Sequence, residues 1–120
     1  MDSRNKYDIT GFICDLGLPL EEASKFYAEL IHEINIAILE LKILINKNDS
    51  VSIQKIIHNL KGVSGNYRIS DVYSETTKIN DTLKIAGYNT LEKDLNHLFH
   101  VCTMAIKEIR SYFNERSISI

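Results

Sequence analysis

The chain has 120 residues, 44% of them hydrophobic and 25% charged, and carries a net charge of −2. That composition suits one ordinary domain with a single core, and lysines spread among acids give no basic block, which argues against DNA or RNA as a partner. The most apolar stretch, Ile34 to Ile45, is broken by Glu40 and Lys42, and Met1 to Asp8 is polar without a signal-type apolar run, so nothing reads as targeting or crossing a membrane.

The first element in chain order is a short helix over Ile9, Phe12, Ile13 and Leu16, ended by Gly17. Pro19 stands just inside the start of the next helix, where Glu21 and Glu22 suit the exposed amides and the positive dipole end. Leu20, Ala23, Tyr27, Leu30, Ile34, Ile38, Leu41 and Leu44 or Ile45 then recur at three-or-four spacing, an apolar stripe of helical period that Asn46 to Asp49 terminates. Asp49 or Ser50 caps a third helix, which closes around Asn66 to Ile69.

Ser70 caps a fourth helix, with Val72, Thr76, Ile79, Leu83 and Ala86 as its apolar face and Gly87 as its terminator. Asn89 and Glu92 resemble a capping box, after which Leu91, Leu95, Leu98, Cys102, Ala105, Ile109 and Phe113 repeat at near-heptad spacing. Short connections predict an all-α fold: an antiparallel up-down-up-down four-helix bundle with a short extra N-terminal helix. The whole chain reads as one domain with a core over about residues 7–114, and the tails, Met1 to Lys6 and Asn114 to Ile120, are expected to be loose.

Cys14 and Cys102 sit far apart among apolar neighbours, which suits free thiols packed as small hydrophobes in a reducing cytoplasm. No Gly-rich phosphate loop, paired CxxC motif or nucleophile elbow gives nucleotide binding, structural zinc or hydrolase chemistry a basis. Asp94, His97 and His100 recur every three residues on the last helix and read as surface residues rather than metal ligands.

The run from His58 to Tyr67 carries the most chemistry. At ~100° per residue, Ile53, Ile56, Ile57, Leu60, Val63 and Tyr67 fall within a core-facing sector of roughly 120°, while Lys61, Gly65, His58 and Gly62 point away from it. Two glycines inside a helix each cost about 1 kcal/mol relative to alanine. Their place beside an outward histidine is explained by access: the imidazole stays unshielded, and another backbone can come close.

His58-x-Leu60-Lys61-Gly62-x-Ser64 resembles the signature of histidine-containing phosphotransfer domains, the HPt modules of multistep two-component phosphorelays. The likeness extends over nearly the whole chain: the Leu16-Gly17-Leu18-Pro19 entry, the long second helix, the Asn48-Asp49 turn and the following helix pair sit where such domains have them. The resemblance implies a cytoplasmic phosphocarrier rather than an enzyme, with His58 as phosphoacceptor and Lys61 stabilising the phosphoryl group. It implies no cofactor in this chain, Mg2+ residing on the partner, and as partners a response-regulator receiver domain and a hybrid histidine kinase. Asn59, Gly62, Gly65 and Asn66 are the expected docking residues, Ser64 is expected to bond a preceding carbonyl, and the molecule is expected to be a monomer. Opening on methionine at single-domain length, the chain reads as free-standing.

One departure stands out: these domains commonly carry a glycine ten positions after the histidine, and this chain has Arg68. A left-handed backbone is strained for arginine, so the helix is expected to end differently or a residue later. Two other readings compete. One is a noncatalytic helical adaptor that binds a signalling partner without phosphorylation. The other is the dimerisation and phosphoacceptor region of a sensor kinase, where an acidic residue typically follows the histidine and a proline comes soon after; here Asn59 follows, and no proline lies downstream.

Overall fold

A computed structural model describes residues 6–85 and 90–120. Its elements are five helices: α1 (Ile9–Leu16), α2 (Leu20–Lys47), α3 (Ser50–Asn66), α4 (Ser70–Ile85) and α5 (Leu91–Asn114). Among the described residues there is no strand, and no helix is long and apolar enough to cross a membrane.

The helix ends follow local chemistry. The carboxylate of Asp8 accepts from the amide of Gly11 to open α1, and Gly17 closes it at φ 68°. Pro19 lies one residue outside α2 rather than just inside, its extended backbone (φ −62°, ψ 152°) feeding the first turn. Asn48, at φ 54°, ends α2. Asp49 then caps α3, accepting from the Ser52 amide at 3.2 Å and the Ser52 hydroxyl at 2.9 Å. Both hydrogen bonds favour the charged form, the hydroxyl's first, and hold the Asp49 carboxyl below the usual carboxylate range.

Two expected caps move. Ser70 is the first residue of α4 rather than its cap. Thr90, not Asn89, holds the N-cap position of α5, its hydroxyl donating to Asp94 at 2.9 Å. Ala86, Gly87 and Asn89 lie outside the described residues.

The apolar stripes meet in one core. α2 packs on α3 and α5, and α4 packs on the same two helices, closing a ring in a molecule of 43 × 22 × 22 Å. Ile53, Ile57 and Leu60 of α3 are buried in one cluster with Leu30, Ile34, Ile79, Leu95 and Leu98. Each such side chain contributes about 1.5–3 kcal/mol relative to exposure, against about 1 kcal/mol for each helical glycine. Packing therefore sets the helicity of α3 and leaves its outer face free to vary.

α1 is fastened by its side chains. Ile9 and Ile13 are buried, Phe12 stacks near Tyr67 with centroids 5.4 Å apart, and the Thr10 and Tyr112 hydroxyls lie 2.7 Å apart. At the C-terminus Ile118 and Ile120 pack against the core, and the Ile118 amide donates to the Phe113 carbonyl. The cysteines divide as well. Cys102 is buried as expected, whereas Cys14 is exposed, and both are free.

Candidate functional site

His58 occupies the middle of α3 on its solvent side. Its imidazole makes no hydrogen bond or ion pair among the described residues. Burial of Ile57 and Leu60 turns the helix so that position 58 faces outward, and Asp49 anchors the first turn two helical turns upstream. The ring is thereby held on a rigid element while its nitrogens stay in water.

Lys61, one turn along, is half-buried, and its Nζ lies 5.8 Å from the centroid of the Tyr73 ring on α4. A cation over an aromatic face at that distance is attracted to it, so the lysine leans toward α4 with its stem supported. Ser64 is fully buried and donates to the Lys61 carbonyl at 3.1 Å, as its place near the core predicts.

The glycines prove unlike. A Cβ on Gly62 would meet nothing within 4 Å, so the surface beside His58 is open. A Cβ on Gly65 would stand 3.0 Å from Cδ1 of Tyr73, so that space serves packing between α3 and α4 rather than approach from outside. Asn59 and Asn66 are both exposed, Asn66 at the last turn of α3.

Two shallow depressions flank His58 along the seam between α3 and α4. Toward the C-terminal end of α3, the histidine shares one with Lys61, Gly62, Arg68 and Tyr73. Toward the N-terminal end it shares the other with Val51, Lys55, Asn59, Asn80 and Lys84. Among the described residues no carboxylate lines either, although the chain as a whole is acidic. Sequence reasoning missed Lys55, Tyr73, Asn80 and Lys84; the available signal was Asn80, an amide beside the apolar stripe of α4 and only 9% exposed.

At Arg68 the structure departs from expectation. α3 does not run on: Arg68 takes φ 61° directly after Tyr67, the Ile69 amide donates to the Ser64 carbonyl, and the Arg68 amide donates to that of Gly65. This is the Schellman arrangement, with arginine where glycine is usual. The guanidinium offsets the strain by pairing with Asp15 and with Asp8 and by lying 5.4 Å from the Phe12 ring centroid. The Asp15 hydrogen bond, then the two negative charges, raise the arginine's pKa further.

The remaining histidines lie elsewhere. His97 has Nδ1 2.8 Å from Glu75 Oε2, linking α5 to α4, while His32 and His100 are exposed. Among the described residues no three His, Cys, Asp or Glu side chains gather as a metal site. Set against family models, curated proteins and solved structures, the chain finds no match.

Proposed function

We propose that this chain is a histidine phosphotransfer module, which takes a phosphoryl group onto His58 from an aspartyl phosphate of a receiver domain and returns it to another. The observation that carries the reading is the bare imidazole: exposed, unpartnered among the described residues, with Lys61 one turn on and open space over Gly62.

The chemistry follows from that arrangement. A ring nitrogen lone pair attacks phosphorus, an N–P bond forms, and the P–O bond to the donor aspartate breaks with its electron pair leaving on the carboxylate. The ring is cationic until its other N–H gives a proton to water. Lys61 sits where it can face the phosphoryl oxygens, stabilising charge that is concentrated in transfer. The partner's Mg2+ neutralises the rest, so a nucleotide or metal site in this chain is unnecessary for the reaction.

The ring of helix contacts is read as an antiparallel up-down-up-down four-helix bundle with α1 added at one end. In this reading the module acts as a cytoplasmic monomer between a hybrid histidine kinase and a response regulator. The test is transfer from a phosphorylated receiver domain to the wild type and to His58→Gln. Acid-labile label on the wild type alone supports the proposal. Absence of label across a panel of receivers overturns it and leaves the adaptor reading, in which the same face binds a partner without chemistry.

A further inference from the structure

The depression on the N-terminal side of His58 contains an unexplained group. Asn80 of α4 is 9% exposed, and its amide makes no hydrogen bond among the described residues, yet it lines the same surface as the histidine. That amide belongs to a largely covered side chain yet opens onto the depression, and with no group among the described residues bonding it, it is placed to bond something that arrives beside the ring. Lys84, one turn farther along α4, and Lys55, one turn before His58 on α3, are exposed and line this depression too.

We propose that Asn80 and Lys84, with Lys55, form a second arm of the phosphoryl-binding site, contacting the phosphoryl group on His58 from the side opposite Lys61. The inference rests on His58 being the phosphoacceptor, as proposed above. A phosphoryl group presents three acceptor oxygens and close to two negative charges. On the C-terminal side Lys61 supplies one cation, the guanidinium of Arg68 being paired with Asp8 and Asp15. The Asn80 amide adds two N–H donors with its rotamer already restrained by burial, and the two lysines add charge where no carboxylate competes. Residues of α4 thus bear directly on how long the phosphohistidine lasts and how fast it is made.

The experiment uses phosphoramidate as phosphoryl donor to the full chain, so that no receiver is needed. The histidine nitrogen attacks phosphorus, the P–N bond of phosphoramidate breaks, and protonated nitrogen leaves as ammonia. NMR follows the Asn80 side-chain amide signals during phosphorylation, and the phosphohistidine half-life is compared among wild type, Lys84→Ala, Lys84→Arg and Asn80→Ala. The expected result is a shift of the Asn80 amide signals in wild type that is missing in His58→Gln. It is accompanied by a change in half-life of about threefold to tenfold in Lys84→Ala that Lys84→Arg reverses. Lys84 is exposed, so the outcome stands even where Asn80→Ala loses stability. Should wild type be phosphorylated with the Asn80 signals unmoved and the Lys84→Ala half-life unchanged, the second arm is refuted and the phosphocarrier reading survives. Should His58 take up no phosphoryl group from phosphoramidate or from any receiver, both readings fall together.

Discussion

The ring of Tyr73 fills the space that a side chain at Gly65 would need, with Cδ1 only 3.0 Å from where a Cβ would stand. The same ring lies 5.8 Å from the ammonium of Lys61. A glycine on α3 therefore fixes an aromatic from α4, and the aromatic in turn supports the lysine beside His58. Gly62, three residues earlier, borders nothing and leaves the histidine approachable.

The two glycines should consequently respond differently to alanine. Gly62→Ala gains helix propensity without a clash and should stabilise the fold by about 1 kcal/mol. Gly65→Ala must push the Tyr73 ring aside, so most of that gain should be lost. Thermal melts followed by circular dichroism measure both; an equal gain at the two positions would refute the distinction. A bulkier Gly62→Leu should still fold yet slow receiver-dependent transfer by about tenfold or more, because it occupies the approach to the ring.

Lys61 should assist transfer without being required for it. Lys61→Ala is expected to slow phosphorylation of His58 by about tenfold, with Lys61→Arg recovering most of the rate. Tyr73→Leu should produce a smaller loss through the same lysine, since it removes the ring that supports the ammonium. Rapid-quench kinetics with a phosphorylated receiver, comparing single and double variants, checks this. Independent, multiplying effects of the two substitutions would separate Tyr73 from Lys61.

Arg68 makes an ordering prediction. Arg68→Gly relieves the left-handed strain and loses two ion pairs, whereas Arg68→Ala loses the pairs and keeps most of the strain. Melting temperature should thus be lower for alanine than for glycine. Concentrated salt should shift the balance between wild type and Arg68→Gly toward glycine, because both carboxylates are exposed and screened. A salt-independent gap between wild type and Arg68→Gly would show that the pairs do not hold α1.

The helices were legible because burial imposes a period: Ile53, Ile57 and Leu60, or Leu91, Leu95, Leu98 and Cys102, recur as an apolar stripe must, and all are buried. His58 was legible for the complementary reason, since the core face defines the outer face. What stayed hidden depends on contacts between distant segments. The compensation at Arg68 comes from Asp8 and Asp15, 60 and 53 residues away, so local propensity alone favoured another helix ending. Asn80, Lys84 and Tyr73 share the histidine's depressions only through the register of α4 on α3, which neither stripe specifies. The packing of Ile118 and Ile120 against the core was equally hidden, because two isolated apolar residues make no period.

The buried thiol and phenols predict how the fold fails in alkali. Burial, with a smaller contribution from Asp71, pushes the Cys102 thiol up from its ordinary 9.0 to about 12. Burial likewise raises the Tyr27 and Tyr7 hydroxyls, the latter also through its hydrogen bond to Asp71. Each group is neutral when folded and ionises more readily when unfolded, so between its unfolded and folded pKa the native state binds more protons. Stability should accordingly be steady through neutral pH and fall as pH rises above about 9, by about 1.4 kcal/mol per pH unit for each group inside its window. Urea unfolding across pH 7 to about 11 measures this, and Cys102→Ala should flatten the part of the decline between pH 9 and 10, below the tyrosine window. A matching thiol titration should find Cys14 reacting at once in the native protein and Cys102 only after unfolding, since one is exposed and the other fully buried. Rapid reaction of both thiols at neutral pH, or a stability that rises toward pH 10, would contradict a closed core around Cys102.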